Sequence, residues 1–271
     1  MLGRERPWAT VHRVELARGG RAWFKRCAPI QWFEPRLTAA LASRWPDRVT
    51  EAIAHDAGRG WLLMRDAGAS LRDLDNPPEA WLAILPRYAE LQIGEAEHVV
   101  EHLEGGVPDA RLERLPALFG ELLRLDLPLT PAEIVRLRAF EPALARLCAE
   151  LAAAGLPDTV QHDDLHDVSV YSLDGHLRVL DWGDASIAHP FFSLFVTFQF
   201  LGEQAQLRDA YLEPWGGSAQ REAAAIALRL GAFARCHAWA RQRESLRPAE
   251  RPDFDTGFAE VLRRALRYVD V

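Results

Sequence analysis

The stretch Gln161–Ala185, QHDDLHDVSVYSLDGHLRVLDWGDA, carries two acidic clusters, one around Asp164 and one around Asp181. Between them Val168, Val170 and Leu173 alternate with polar residues, Asp174-Gly175 supplies turn chemistry, and Leu177, Val179 and Leu180 bring the chain back. This pattern predicts a β-hairpin that holds both acids at one end of two paired strands. One carboxylate so placed can orient and deprotonate a hydroxyl, while the other holds a magnesium ion that bridges phosphate oxygens.

HDDLHDVS resembles the HxDxxxxN catalytic loop of the aminoglycoside phosphotransferases and choline kinases, and LDWGD resembles their form of the kinase DFG element. The resemblance implies an α+β, bilobal protein-kinase-like fold: a small β-rich N-lobe over residues 1–66 and a larger, mostly helical C-lobe over 67–271 with the catalytic hairpin embedded in it. It implies ATP as phosphoryl donor, with GTP as the alternative, Mg2+ as cofactor, and a small hydroxyl-bearing acceptor. Carried over residue by residue, it makes Asp164 the catalytic base, His162 a support of its loop and Asp181 the principal metal ligand.

Bulk composition is compatible with such an enzyme. A chain of 271 residues with 49% hydrophobic content can bury a substantial core. The formal net charge of −7 argues against a general nucleic-acid binder and leaves room for a cationic substrate. The N-terminus MLGRERPWAT is charged where a signal peptide needs an apolar run, and Phe191–Leu201 is too short to cross a bilayer, so a cytoplasmic protein without a membrane partner is expected. Cys27, Cys148 and Cys236 form no CxxC pair, which points to buried free thiols.

Of the 32 basic side chains, Lys25 is the only lysine. A compact ammonium that must fit between phosphate oxygens and a carboxylate is not easily replaced by a guanidinium fork. Lys25 lies on the second strand of an expected hairpin, Val11 to Leu16 and Ala22 to Cys27, turning over residues 17–21. There it resembles the kinase lysine that contacts the α- and β-phosphates. Glu34 is its candidate partner; Pro35 equally suits Glu34 as a first-turn residue. Strands are expected at Glu51–Ala54 and Trp61–Met64. The following Arg65-Asp66-Ala67 is read either as the adenine-binding hinge or as an ordinary turn. Helical periodicity covers about 78–103, 109–124, 130–154, 190–201, 203–213, 219–243 and 255–269, with Thr130-Pro131-Ala132-Glu133 forming a capping signal.

Several features depart from the family pattern. Ser169 stands where the Asn that helps hold the second metal is expected, and Asn76 is the only Asn in the chain; a serine hydroxyl can still bind magnesium. Asp163 replaces the usual Gly and is expected to face solvent; facing inward, it would perturb Asp164 by like-charge repulsion. Ala188–Leu194 lacks both acids of GDPxxDL. No GxGxxG precedes Thr10, so the first strand is expected to be truncated or missing, with Thr10 either turned to phosphate or an ordinary strand residue.

These departures keep a pseudokinase in view as the alternative, a module that binds nucleotide or a partner without efficient transfer. A His162/Asp163/His166 metal cluster is disfavoured, because two His at i, i+4 share a face only on a helix. An aminoglycoside, another cationic antibiotic or an amino alcohol would fit the acidic balance, a reading that would carry antibiotic resistance as one role. Glu203, Asp209, Glu213, Asp253 and Asp255 are candidate acceptor contacts, each with an ordinary surface role as its alternative. Trp182, Trp215 and Trp239 are core residues by default or pocket walls.

Overall fold

The computed structural model describes residues 3–17 and 19–269. An antiparallel five-stranded sheet opens the chain: β1 (Gly3–Arg6), β2 (Ala9–Glu15), β3 (Arg21–Cys27), β4 (Ala52–Asp56) and β5 (Trp61–Arg65), in the order β1-β2-β3-β5-β4. The first strand, expected to be truncated or missing, is present and pairs Gly3 with His12 through Arg6 with Ala9. Gly-Arg-Glu-Arg shows no apolar alternation because an edge strand gains from charge, which keeps its open backbone from pairing with other chains. Pro7 and Trp8 make a two-residue turn in place of a glycine-rich loop. Of the turn expected over residues 17–21, Arg18 lies outside the described residues.

Helix α1 (Glu34–Arg44) carries Pro35 in its first turn, where it has no N–H to lose, and buries Leu37 and Leu41 while packing against β4. β6 (Ala69–Ser70) then pairs with β8 (Val170–Leu173), which forms the expected hairpin with β9 (His176–Val179). Asp174 and Gly175 both take positive φ, 52° and 78°, the left-handed geometry that a two-residue turn between twisted strands requires. Val179 also bridges to Val49 beside α1, so the hairpin is tied to both halves of the molecule. A short pair, β7 (Thr159–Gln161) with β10 (Ser186–Ala188), fixes the two ends of the motif-bearing segment relative to one another.

The remainder is helical: α2 (Pro78–Glu95), α3 (Val99–Glu104), α4 (Leu115–Leu122), α5 (Pro131–Ala139), α6 (Glu141–Ala152), α7 (Ser193–Leu201), α8 (Ala205–Leu212), α9 (Arg221–Ser245) and α10 (Arg251–Leu266). The period expected as one helix over 130–154 is two, α5 and α6, broken where Pro142 cannot donate a backbone hydrogen bond. Thr130 and Glu133 form the expected capping box. Helix α9 runs through the lobe against α4, α6, α7 and α10 and is largely buried. A Cβ at its Gly231 would lie 3.2 Å from the Phe192 backbone, so glycine lets the segment ahead of α7 sit directly on α9. The fold is bilobal and α+β, with the hairpin between the sheet and the helices. Among the described residues, no helix is long and apolar enough to cross a membrane.

Candidate active site

Alternation along β3 puts Trp23, Lys25 and Cys27 on one face of the sheet. Buried Lys25 donates through Nζ to Glu34, with Oε1 at 2.7 Å and Oε2 at 2.6 Å, and to Asp181 Oδ1 at 2.5 Å. Glu34 is fully buried at the first position of α1 and also accepts from Cys27 Sγ at 3.2 Å. Burial disfavours the ammonium, yet the two carboxylates outweigh it and push the Lys25 pKa well up. Burial also raises Glu34, against the pull of Lys25. Asp181 is held below the usual carboxylate range by Lys25. Its side chain is 64% exposed, against 5% for Lys25, so a carboxylate anchored from behind opens into the cleft. Asp181 has φ 64°, a left-handed conformation that Asp tolerates better than bulkier residues. Two residues on, a Cβ at Gly183 would lie 2.7 Å from Gln31 and 2.9 Å from Glu34 Oε2, which explains the glycine in LDWGD.

On the other side of the cleft, β7 delivers His162 into the core beneath Asp164. The imidazole is fully buried, 4.8 Å from the Trp182 ring. Its Nε2 lies 2.8 Å from the Leu180 carbonyl, and Nδ1 lies 3.2 Å from the Asp164 N–H. Burial lowers its pKa, and a neutral ring donating from Nε2 and accepting at Nδ1 satisfies both contacts. His162 therefore ties the backbone ahead of Asp181 to the backbone of Asp164 and supports both motifs at once.

The Asp164 carboxylate is 31% exposed. Its Oδ1 accepts from Arg235 Nη2 at 2.7 Å, and its Oδ2 lies 3.4 Å from His166 Nε2. Burial opposes ionisation of Asp164, but Arg235 and His166 prevail and hold the group far below the ordinary range. His166 Nδ1 lies 3.0 Å from Asp167, which is gripped in turn by Arg72 at 2.7 and 3.0 Å and by Asn76 at 3.0 Å. Burial would lower the His166 pKa; the flanking acids Asp164 and Asp167 raise it instead. The ring stacks on Phe200 at 4.2 Å.

Several expectations are corrected here. Asp163 faces inward, not to solvent: it is buried with φ 61°, donates its N–H to Gln161 Oε1 at 2.9 Å, and places its carboxylate 3.9 Å from Arg235. Burial pushes its pKa up to about 7 even with Arg235 opposing. Ser169, expected beside the metal, is 2% exposed and turned into the loop. Its hydroxyl accepts from the His166 N–H at 2.8 Å and lies 3.0 and 2.9 Å from the carbonyls of Asp164 and His166, closing the loop that presents Asp164.

Thr10, read either as turned to phosphate or as an ordinary strand residue, pairs with Arg26, while Val11 pairs with Lys25. Cross-strand partners share a face, so Thr10 lies on the side of the sheet opposite Lys25, a one-residue difference in register. Of the expected hinge, Arg65 pairs with Glu51 at the surface and Ala67 is buried. Asp66 accepts from the Trp23 indole at 3.0 Å and from Arg21 at 3.0 Å, so the side chain that reaches this linker along the Lys25 face is Trp23.

The residue that sequence reasoning missed is Arg235. From the middle of α9 its buried guanidinium reaches Asp164, Asp184 at 3.1 Å and Asp163. Asp184 also accepts from Gln31 at 3.4 Å and from Gln242. In a chain where all but one basic residue is Arg, an arginine carries no compositional signal. The available sign was its position inside an apolar helical run, GAFARCHAWA.

Asp164, Asp181 and Asp184 line one cavity of about 220 Å3 between the sheet and α7, α9 and α10. Trp239 lines it too, whereas Trp182 and Trp215 are core. None of Glu203, Asp209, Glu213, Asp253 and Asp255 borders it; Asp209 is taken by Arg221 and Asp255 by Arg243. Trp8, from the β1–β2 turn, reaches across to Phe254 of α10 with ring centres 6.2 Å apart.

Solved structures of this shape include an ethanolamine kinase from Plasmodium vivax, with TM-score 0.71 and 9% identity over 100% of this chain and 82% of that one. The choline kinase LicA from Streptococcus pneumoniae gives 0.69 and 14% over 99% and 92%. The GDP complex of aminoglycoside 2'-phosphotransferase-IIIa gives 0.61 and 14% over 95% and 92%. At these identities the likeness is one of fold. No curated protein sequence matches the chain. The model of the phosphotransferase enzyme family matches residues 35–226, more than half of the chain, and the protein belongs to that family.

Proposed function

We propose that the protein is a small-molecule kinase that moves the γ-phosphoryl group of ATP to an acceptor hydroxyl with the help of Mg2+, in the cytoplasm. The observation that carries this reading is the pair of carboxylates facing one cavity, Asp164 held ionised by Arg235 and Asp181 anchored by Lys25. Oxygen donors and an exposed Asp181 suit a hard cation that takes one or two carboxylates and draws its other ligands from phosphate and water. Bound there, magnesium would neutralise phosphate charge and align the transferring group.

Within this reading Asp164 receives the hydroxyl proton, or positions the hydroxyl so that the proton leaves as the bond to phosphorus forms. Lys25 steadies the α- and β-phosphates, Glu34 keeps its ammonium in place, and His162 and Ser169 hold the loop. Most of the rate gain would come from positioning and preorganised charge. The linker Arg65–Ala67 with Trp23 is the proposed base-binding edge.

Two observations favour a second reading, a nucleotide-binding module with little turnover: Arg235 occupies one oxygen of Asp164, and the Ser169 hydroxyl is spent within the loop. ADP release measured with Mg2+, ATP and an acceptor panel separates them. Active transfer should fall by about 10²–10⁴-fold in Asp164→Asn and should vanish in Asp181→Asn. ATP binding without turnover of any acceptor would support the second reading.

A further inference from the structure

The acceptor half of the cavity differs from what a polycation needs. A cationic group bound next to the proposed base would have to meet Asp164 and Asp184, and Arg235 already bridges both. Arg235 offsets part of this negative charge and repels a second cation at contact distance. Apart from Asp164, Asp181 and Asp184, the described cavity lining is aromatic, aliphatic, amide or basic. Phe200, Trp239 and Phe254 supply ring faces, Trp239 and Phe254 lying 4.8 Å apart, and Trp8 closes the wall from the sheet side.

Arg264 borders the same space from α10. It donates to Gln199 Oε1 at 2.9 Å and pairs with no acid among the described residues. A guanidinium has five N–H donors in a planar fork that matches a carboxylate. Two further cavity residues carry buried polar atoms without partners among the described residues, Oε1 of Gln31 and the indole Nε1 of Trp239. Gln31 is 3% exposed, so its oxygen cannot readily turn to bulk water. One waiting acceptor, one waiting donor and one unpaired arginine around aromatic walls describe a ligand with a ring, polar oxygens and an acidic end.

We propose, on the basis of the phosphotransferase reading above, that the acceptor is a ring-bearing alcohol with a carboxylate and no positive charge. Its ring lies against Trp239, Phe254 and Phe200, its carboxylate meets Arg264, and its hydroxyl reaches Asp164. Transfer breaks the bond between the γ-phosphorus and the β,γ-bridging oxygen of ATP, forms the bond from the acceptor oxygen to phosphorus, and passes the hydroxyl proton to Asp164. The products are ADP and a phosphate monoester.

The test uses three acceptors on one scaffold: 4-(hydroxymethyl)benzoate, 4-methylbenzyl alcohol and 4-(aminomethyl)benzyl alcohol. Transfer from Mg-ATP is read as kcat/KM, and binding to the protein loaded with Mg2+ and a non-hydrolysable ATP analogue is read by calorimetry. The carboxylate compound should exceed the neutral one by about tenfold or more, the scale of one charge-assisted contact, and the amine should be weakest. In Arg264→Gln the carboxylate-to-neutral ratio should fall by a similar factor, and Arg264→Glu should invert it.

Preference for the amine in the wild-type protein, or a carboxylate advantage that survives Arg264→Gln, overturns the proposal. So does failure of all three to bind a protein that holds the nucleotide. Transfer to the amine alone leaves phosphoryl transfer standing and removes this acceptor class. Calorimetric preference for the carboxylate without transfer supports the acceptor class and removes the transferase reading.

Discussion

Two buried charge clusters face each other across the cleft, and they are built differently. On the sheet side one lysine sits between Glu34 and Asp181, close to both and almost without solvent. On the helical side one arginine spans Asp163, Asp164 and Asp184, with contacts from 2.7 to 3.9 Å. A compact ammonium concentrates its charge at one point, where it can serve a carboxylate and a phosphate in turn. A guanidinium distributes donors over a plane and can hold two carboxylates at once. The first cluster leaves Asp181 open, and the second leaves Asp163 close to neutral.

The largest effect on this contrast should come from Arg235→Ala. Three acids would then lie together with their cation gone, and a loss of about 3–5 kcal/mol is expected from breaking a buried pair. Denaturant midpoints check this, and Arg235→Lys should recover only part, since an ammonium cannot span the fork. A fully stable Arg235→Ala variant would remove the distinction drawn between the clusters.

Lys25→Arg probes the opposite side. The charge survives but its shape does not, and transfer should fall about a hundredfold, the scale of one lost preorganised contact. Wild-type turnover in that variant would show the lone lysine to be an accident of composition.

Asp163 makes the second cluster pH-sensitive. With a folded pKa raised from 3.8 to about 7, the native protein keeps a proton that the unfolded chain releases. The associated stability is complete below the unfolded value and is lost as pH rises through about 7. Asp163→Asn should therefore flatten the part of this decline that lies between pH 5 and pH 8, about 2–3 kcal/mol by the linkage relation. Thermal melts at pH 5 and pH 8 measure it, and an unchanged slope would place the titration elsewhere.

Smallest is Ser169→Ala, expected to cost about 1 kcal/mol for a buried hydroxyl contact with the Mg2+ dependence of the rate unchanged. A raised Mg2+ requirement at unaltered stability would instead put the hydroxyl on the metal.

The hairpin, the two acidic motifs and the lysine with its glutamate partner were legible because their signals are short-range. Turn residues at 174 and 175, alternation on β8 and β9, and a glutamate nine positions after Lys25 all act within a few residues of one another. The orientation of Asp163 was not legible, since the group that receives it stands on α9. Which of the two readings of Thr10 holds was not legible either: propensity cannot resolve a one-residue register, and that shift changes the face of every side chain on a strand. The first strand was hidden by its polar sequence, which suits an edge and mimics a loop.

By itself the sequence determined the hairpin, the capping box and most of the strands and helices, because periodicity and turn chemistry act locally, and its two motifs carried the resemblance from which the bilobal class was expected. Tertiary structure alone decided which charges meet on the helical side of the cleft. Arg235 is one arginine among 31 until α9 packs beneath the loop that carries Asp164. Burial then turns an unremarkable side chain into the counter-ion of the proposed base, since charges removed from water must find partners.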